Sequence, residues 1–238
     1  MKAGRPIILI LTTHTGGGHR NLAQALKSML EIDYEVAIVD PQPALVDHFY
    51  AFVSRHCLKF LEWQYTCTDS EIASLWLHRL LTPLSLNPIL RILEHIQPQL
   101  IITTHAMLSY ATARAIEHRR KRIPLVFQLT DLGRLHSTWF TEKQADAYLA
   151  PTREIFVHAR AQGIDKNRLY LTGRPVRRQF LEVSKTMAGA WAKPVESTCR
   201  GQISAGFIQH VPTTTFRATL DLNPAVFTLF VQGGAKGS

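Results

Sequence analysis

The chain has 238 residues, of which 46% are hydrophobic and 19% charged, a balance that excludes a disordered polymer and suits one large globular domain, or one and a fraction. Its 27 Lys and Arg against 18 Asp and Glu give a formal charge of +9, which favours an anionic partner such as nucleic acid, an acidic lipid surface or a phosphorylated small molecule. No apolar run approaches the roughly 18 residues of a membrane span, the first one is too short for a signal-peptide core, and Cys57, Cys67 and Cys199 lack paired spacing, so a cytoplasmic chain with reduced thiols is expected.

Residues 7–11, five consecutive large apolar side chains, read as a strand buried on both faces of a parallel sheet. The chain then meets Gly16, Gly17 and Gly18, followed by a helical stripe of Leu22, Ala25, Leu26, Met29 and Leu30. A helix that opens at such a loop points unpaired N–H groups and its positive dipole end outward, a seat for phosphate or another anion. His14 and His19 flank that seat. Residues 34–40 form a second strand, stopped by Pro41 and Pro43, so the first unit is β-α-β.

From 44 to 65 apolar residues recur at helical spacing with His48, Arg55, His56 and Lys59 between them. This predicts one basic, aromatic-rich amphipathic helix, packed on the sheet or touching a bilayer surface. Residues 72–81 and 88–96 predict two further helices, with Pro88 in the first turn of the second. Residues 100–104 read as a strand running into His105, and 106–118 as a helix; the basic run 119–122 complements its dipole. A strand over 123–129 delivers Thr130, Asp131 and a polar loop. Residues 147–150 form a short strand, Thr152 caps the helix 153–162, Gly163 closes it, and 168–172 is the last strand of the alternation.

The pattern predicts an α/β domain with a parallel, Rossmann-like sheet over residues 1–183, a linker or insertion over 184–214, and the start of a second domain over 215–238. Residues 225–231 read as a strand that ends in a glycine loop with no sheet beyond it, so a further domain, or a sheet from another chain, is expected after Ser238. Ligands of open parallel sheets collect at the carboxyl ends of the strands, where His14, Gly16, Gly17, Gly18, His19, His105, Asp131 and His136 are expected to meet.

The segments T-G-G-G-H-R-N-L-A-Q-A-L, I-I-T-T-H-A-M-L-S-Y, L-T-D-L-G-R-L-H-S-T-W-F, L-A-P-T-R-E and L-T-G-R-P-V together resemble the monogalactosyldiacylglycerol synthases and processive diacylglycerol glucosyltransferases, over residues 7–181. A weaker likeness extends to the N-acetylglucosaminyltransferase of peptidoglycan synthesis. The segment from Phe216 resembles the opening of the family's second domain.

The resemblance implies a glycosyltransferase of the two-domain GT-B type, whose N-terminal domain holds the lipid acceptor and whose C-terminal domain, represented by its first helix and strand, holds the nucleotide sugar. It implies transfer of a hexose from a UDP-sugar, a co-substrate with no further cofactor, to the hydroxyl of diacylglycerol with inversion, at the cytoplasmic face of an anionic membrane lipid surface. His19 matches the proposed general base. Gly16, Gly17 and Gly18, with His105, Asp131, His136, Thr138 and Trp139, fall on the acceptor side, and Gly233 and Gly234 begin the donor loop. With most of the donor domain absent, the chain is not expected to catalyse alone.

Other readings compete. His19 could be an ordinary helix residue, His14 and His105 strand-end hydrogen-bonding groups, Asp131 a turn cap and Trp139 core. No metal site is expected, because the four histidines show neither E-x-x-H nor H-x-x-x-H spacing. A dinucleotide-binding oxidoreductase domain is an alternative, with Asp40 as the ribose-binding acid, although the third glycine of G-x-G-x-x-G is missing. A non-catalytic relative that binds anionic lipid is another. Nucleic acid ranks last, since aromatic and basic residues do not interleave on a strand.

Overall fold

A computed structural model describes residues 5–14, 17–119 and 121–179. The expected linker, the segment 215–238 and the glycines Gly16, Gly233 and Gly234 lie outside the described residues. Six strands, β1 (Ile7–Leu11), β2 (Glu35–Val39), β3 (Leu100–Thr103), β4 (Leu125–Gln128), β5 (Ala147–Ala150) and β6 (Leu169–Leu171), form one sheet in the order β2-β1-β3-β4-β5-β6. Every pairing is parallel, with Leu11 opposite Val39 and Thr103, and Gln128 opposite Leu149. The expected parallel α/β fold is therefore present.

Helices cover both faces, as a parallel sheet requires. On one face α1 (Gly17–Leu30) lays Ala23 and Leu26 on Ile8, Ile10 and Ile102. On the other, α4 (Glu71–Ile96), α5 (Ala106–His118) and α6 (Arg153–Ala161) bury Ile89, Leu93, Leu108, Ala111 and Ile155 with Leu9, Leu11, Ile101 and Phe127. Strand order reverses between β1 and β3, and crossovers leaving in opposite directions open a crevice there.

Two helical expectations are corrected. The single helix over 44–65 is two, α2 (Ala44–His56) and α3 (Leu58–Thr68), broken at Cys57, whose φ of −135° and ψ of 48° are not helical. Only Val53 of α2 is buried, and α3 buries nothing, so little packing holds the pair straight. Conversely, the two helices expected over 72–81 and 88–96 are one. Pro83 and Pro88 lie inside α4. Each removes a backbone donor, yet His78, Ser85, Ile89 and Leu93, buried on one side, hold both halves against the sheet. Ser70 caps the start by accepting from the Ala73 N–H, and Gln97, at φ +54°, ends it in the left-handed region.

Candidate functional site

Because all strands run the same way, the loop after each opens at one edge. Thr12, Thr13 and His14 follow β1, Asp40 follows β2, Thr104 and His105 follow β3, Thr130 and Asp131 follow β4, and Gly173 and Arg174 follow β6. The side-chain oxygens of Thr12, Thr104, Gln128 and Thr130 are buried there without a hydrogen-bond partner among the described residues. Such orphaned groups along one sheet edge suit a polar ligand or ordered water.

α1 begins inside the glycine triplet, at Gly17, two residues earlier than a loop of three glycines would place it. A side chain at Gly18 would meet nothing within 4 Å among the described residues. His19, in the first turn, turns back toward the sheet. Its Nδ1 lies 2.7 Å from the carbonyl oxygen of Thr104. A carbonyl only accepts, so Nδ1 carries the proton and Nε2 keeps the lone pair.

The ring of His105 meets that of His19 edge-on, with centroids 4.4 Å apart. His105 caps α5, its Nδ1 accepting from the Met107 N–H at 3.3 Å. Burial, with the neighbouring His19 and His78, pushes its pKa down to about 3, so it stays neutral. Burial also lowers the pKa of His19; the Thr104 carbonyl and the Asp131 carboxylate oppose the shift, and Arg174 adds to it. A neutral imidazole with a fixed tautomer is a proton acceptor ready at neutral pH.

The loop after β4 is pinned rather than open. His136 is buried, its Nδ1 accepting from the Thr138 N–H at 3.2 Å while Nε2–H donates to the Tyr65 carbonyl at 3.0 Å. Thr138 is buried and its carbonyl accepts from Nε2 of His78 at 3.1 Å. Trp139, 2% exposed, belongs to the main core cluster, so it can bear on a ligand only through the loop it anchors. Asp131 is exposed at the mouth. Asp40, the acid of the dinucleotide reading, is already engaged: one carboxylate oxygen accepts from both the backbone N–H and Nδ1 of His14 at 2.6 Å, the other from the Gln42 N–H at 2.8 Å.

The profile of the monogalactosyldiacylglycerol (MGDG) synthase family matches residues 19–176, from the histidine on the Thr104 carbonyl to the turn after β6. The chain belongs to that family. Monogalactosyldiacylglycerol synthase 1, chloroplastic, of Arabidopsis thaliana is 27% identical over 196 residues, 76% of this chain and 36% of the relative. The chloroplastic synthase of Spinacia oleracea is 27% identical over 187 residues, 73% of this chain and 35% of the relative. This member of the MGDG synthase family thus spans little more than a third of the length of either. Among solved structures, the UDP-N-acetylglucosamine 2-epimerase from Rickettsia bellii is similar with a TM-score of 0.47 and 11% identity, over 93% of this chain and 52% of that one.

Sequence reasoning singled out His19, His105 and Asp131, which the fold brings to one edge, but passed over Arg174, Thr104 and His78. Arg174 was accessible by the rule already applied, since it also follows a strand. The Thr104 carbonyl carries no sequence signal, because any residue supplies one. His78 sits among apolar helix residues, and nothing in its spacing shows that it faces a distant loop.

Proposed function

We propose that this chain is the acceptor-binding part of an inverting hexosyltransferase that moves a sugar from a UDP-sugar to the hydroxyl of diacylglycerol. The observation that carries the reading is the bond from His19 Nδ1–H to the Thr104 carbonyl, which aims the free Nε2 lone pair away from the backbone at the carboxyl edge. In this reading the acceptor O–H gives its proton to Nε2 as its oxygen attacks the anomeric carbon. The bond from that carbon to the diphosphate oxygen breaks from the opposite side, and its electron pair leaves with UDP. The Asp131 charge favours the imidazolium that forms. His105 stays neutral beside it and so does not oppose that charge.

In the same proposal residues 1–183 form the acceptor domain, 184–214 a linker or insertion, and 215–238 the start of a donor domain in a GT-B arrangement, with Gly233 and Gly234 near the diphosphate. Gly16, Gly17 and Gly18 line the acceptor or anion seat, and the His136, Thr138 and Trp139 loop shapes its far wall. No helix among the described residues is long and apolar enough to cross a membrane. A peripheral approach to the lipid is supported instead by exposed Phe49, Phe52, Trp63, Ile72, Trp76 and Leu80 on α2, α3 and α4, with Arg55, Lys59 and Arg79 nearby in the same helices.

The test is transfer of labelled hexose from UDP-galactose or UDP-glucose to diacylglycerol in vesicles, by protein carrying both domains. Labelled glycolipid made by the wild type and reduced roughly 10²- to 10⁴-fold in His19→Ala supports the reading. Vesicle binding without product points to a non-catalytic lipid-binding relative.

A further inference from the structure

At the opposite side of the β1 loop from His19, three groups from separate segments converge. His14 lies three residues beyond β1, Asp40 directly follows β2, and Asp47 sits in the first turn of α2. The pairing of Leu11 with Val39 brings the first two together. One ligand atom from each of the three lies within 4.8 Å of the others. Nδ1 of His14 is 2.6 Å from one oxygen of Asp40 and 3.9 Å from one oxygen of Asp47.

Charge and burial make this arrangement incomplete. The Asp40 side chain is 6% exposed and that of Asp47 is 23% exposed, so both carboxylates have lost much of their water. Among the described residues neither has a Lys or Arg within ion-pair distance, and His14 is the one basic group facing them. Even a protonated His14 leaves one negative charge over. A second observation points the same way: the other oxygen of Asp47 is buried and has no hydrogen-bond partner among the described residues. A desolvated carboxylate oxygen with no donor is a costly group unless a cation satisfies it.

We propose that His14, Asp40 and Asp47 bind a divalent transition-metal cation of the Mn²⁺ or Zn²⁺ class. One imidazole nitrogen with two carboxylates suits such borderline ions better than Mg²⁺ or Ca²⁺, which prefer oxygen alone. Ligation at Nδ1 transfers the proton of the neutral ring to Nε2, which is free to carry it because the His14 side chain is half exposed. The three ligands come from three stretches of chain, so local spacing rules could not reveal them, and the expectation of no metal site rested on those rules. This proposal does not depend on the transferase reading, because its readout is binding.

Tag-free, EDTA-treated protein is titrated with MnCl₂ and separately with ZnCl₂ by calorimetry, and bound Mn²⁺ is followed by its electron paramagnetic resonance signal. One saturable ion per chain is expected. His14→Ala and Asp47→Asn should each weaken it at least about tenfold, whereas the exposed Asp33→Asn should leave it unchanged. Circular dichroism and thermal unfolding of each variant show that the loss is not a loss of fold. Absence of saturable binding below about 1 mM, or binding that survives both variants, overturns the proposal and leaves the cluster as a histidine held by a proton between two acids.

Discussion

His19 hangs from the carbonyl of Thr104, 2.7 Å from Nδ1 to oxygen, so a residue of the first helix takes its proton arrangement from the end of the third strand. Among the described residues no carboxylate bonds to this ring, and its basicity is set first by burial, which lowers it, then by the Thr104 carbonyl bond, which raises it, and by two charges at longer range, Asp131 and Arg174. The acid limb of kcat/KM for protein carrying both domains should fall below the ordinary histidine value of 6.5, since burial lowers the pKa. Asp131→Asn removes the charge that favours the imidazolium and should move the limb further acid. Arg174→Gln removes the opposing charge and should move it back toward neutral. A pH profile in which both variants move the limb in one direction contradicts the role given to His19.

The buried histidines make the fold sensitive to mild acid. His105 is lowered to about 3 and His78 to about 4, both chiefly by burial, while an unfolded histidine titrates near 6.5. The unfolded chain therefore binds more protons as pH drops below about 6.5. Stability should fall between about pH 6.5 and 4 by roughly 1.4 kcal/mol per pH unit for each of the two, and level off for each below its folded value. Urea unfolding at pH 7, 6 and 5 reads this slope. His78→Gln keeps an amide donor for the Thr138 carbonyl but does not titrate, and should remove its own share of the slope while His105, and His19, which burial also lowers, keep theirs.

The strands were legible because a doubly covered strand needs an apolar run, and 7–11, 100–102 and 147–150 have one. The edge of the sheet followed from that. The helical cap over the far face was less legible. Pro88 reads as a helix start because a proline costs a hydrogen bond inside a helix, yet tertiary burial of Ile89 and Leu93 outweighs that local cost. Cys57 gives no signal of a break. The contacts that fix His136 and Asp69 join positions 65–69 to 134–138, and no periodicity encodes a pairing at that separation.

Asp69 is the latch between the turn from α3 to α4 and the loop after β4. One carboxylate oxygen accepts from the Ser137 N–H at 2.9 Å and from its hydroxyl at 2.8 Å; the other accepts from Arg134 at 2.9 Å. Although burial alone would raise its pKa, the Ser137 donors and the His136 and Arg134 charges hold it below the ordinary carboxylate value. The stabilisation it brings is thus present above about pH 3.8 and lost as pH falls through the lower folded value. Asp69→Ala should cost about 1–3 kcal/mol at pH 7, because the Ser137 donors lose a charged partner. Arg134→Ala should cost less than about 1 kcal/mol, since its side chain is 76% exposed and the pair is screened. Equal losses in chemical denaturation would show that the ion pair, not the backbone bond, holds the loop.

Ile72, Trp76 and Leu80 recur every four residues along α4 and are 74%, 65% and 75% exposed, a stripe that faces away from the sheet. A helix normally turns such a stripe inward, and here the inward side is taken by Ser74, His78, Ser85, Ile89 and Leu93. Because the exposed residues bury little in the folded chain, Trp76→Ser and Leu80→Ser should change unfolding free energy by no more than about 0.5 kcal/mol each. Transfer into a bilayer interface is a different matter, since burying one large apolar side chain is worth about 1.5–3 kcal/mol. Each substitution should therefore weaken binding to vesicles that contain anionic lipid by about tenfold or more. Arg55→Gln with Lys59→Gln should weaken binding to the same vesicles but not to neutral ones, and the difference should shrink as salt is raised. If co-sedimentation is unchanged in the Trp76 and Leu80 variants while thermal stability drops, the stripe serves the fold of this chain and not a membrane surface.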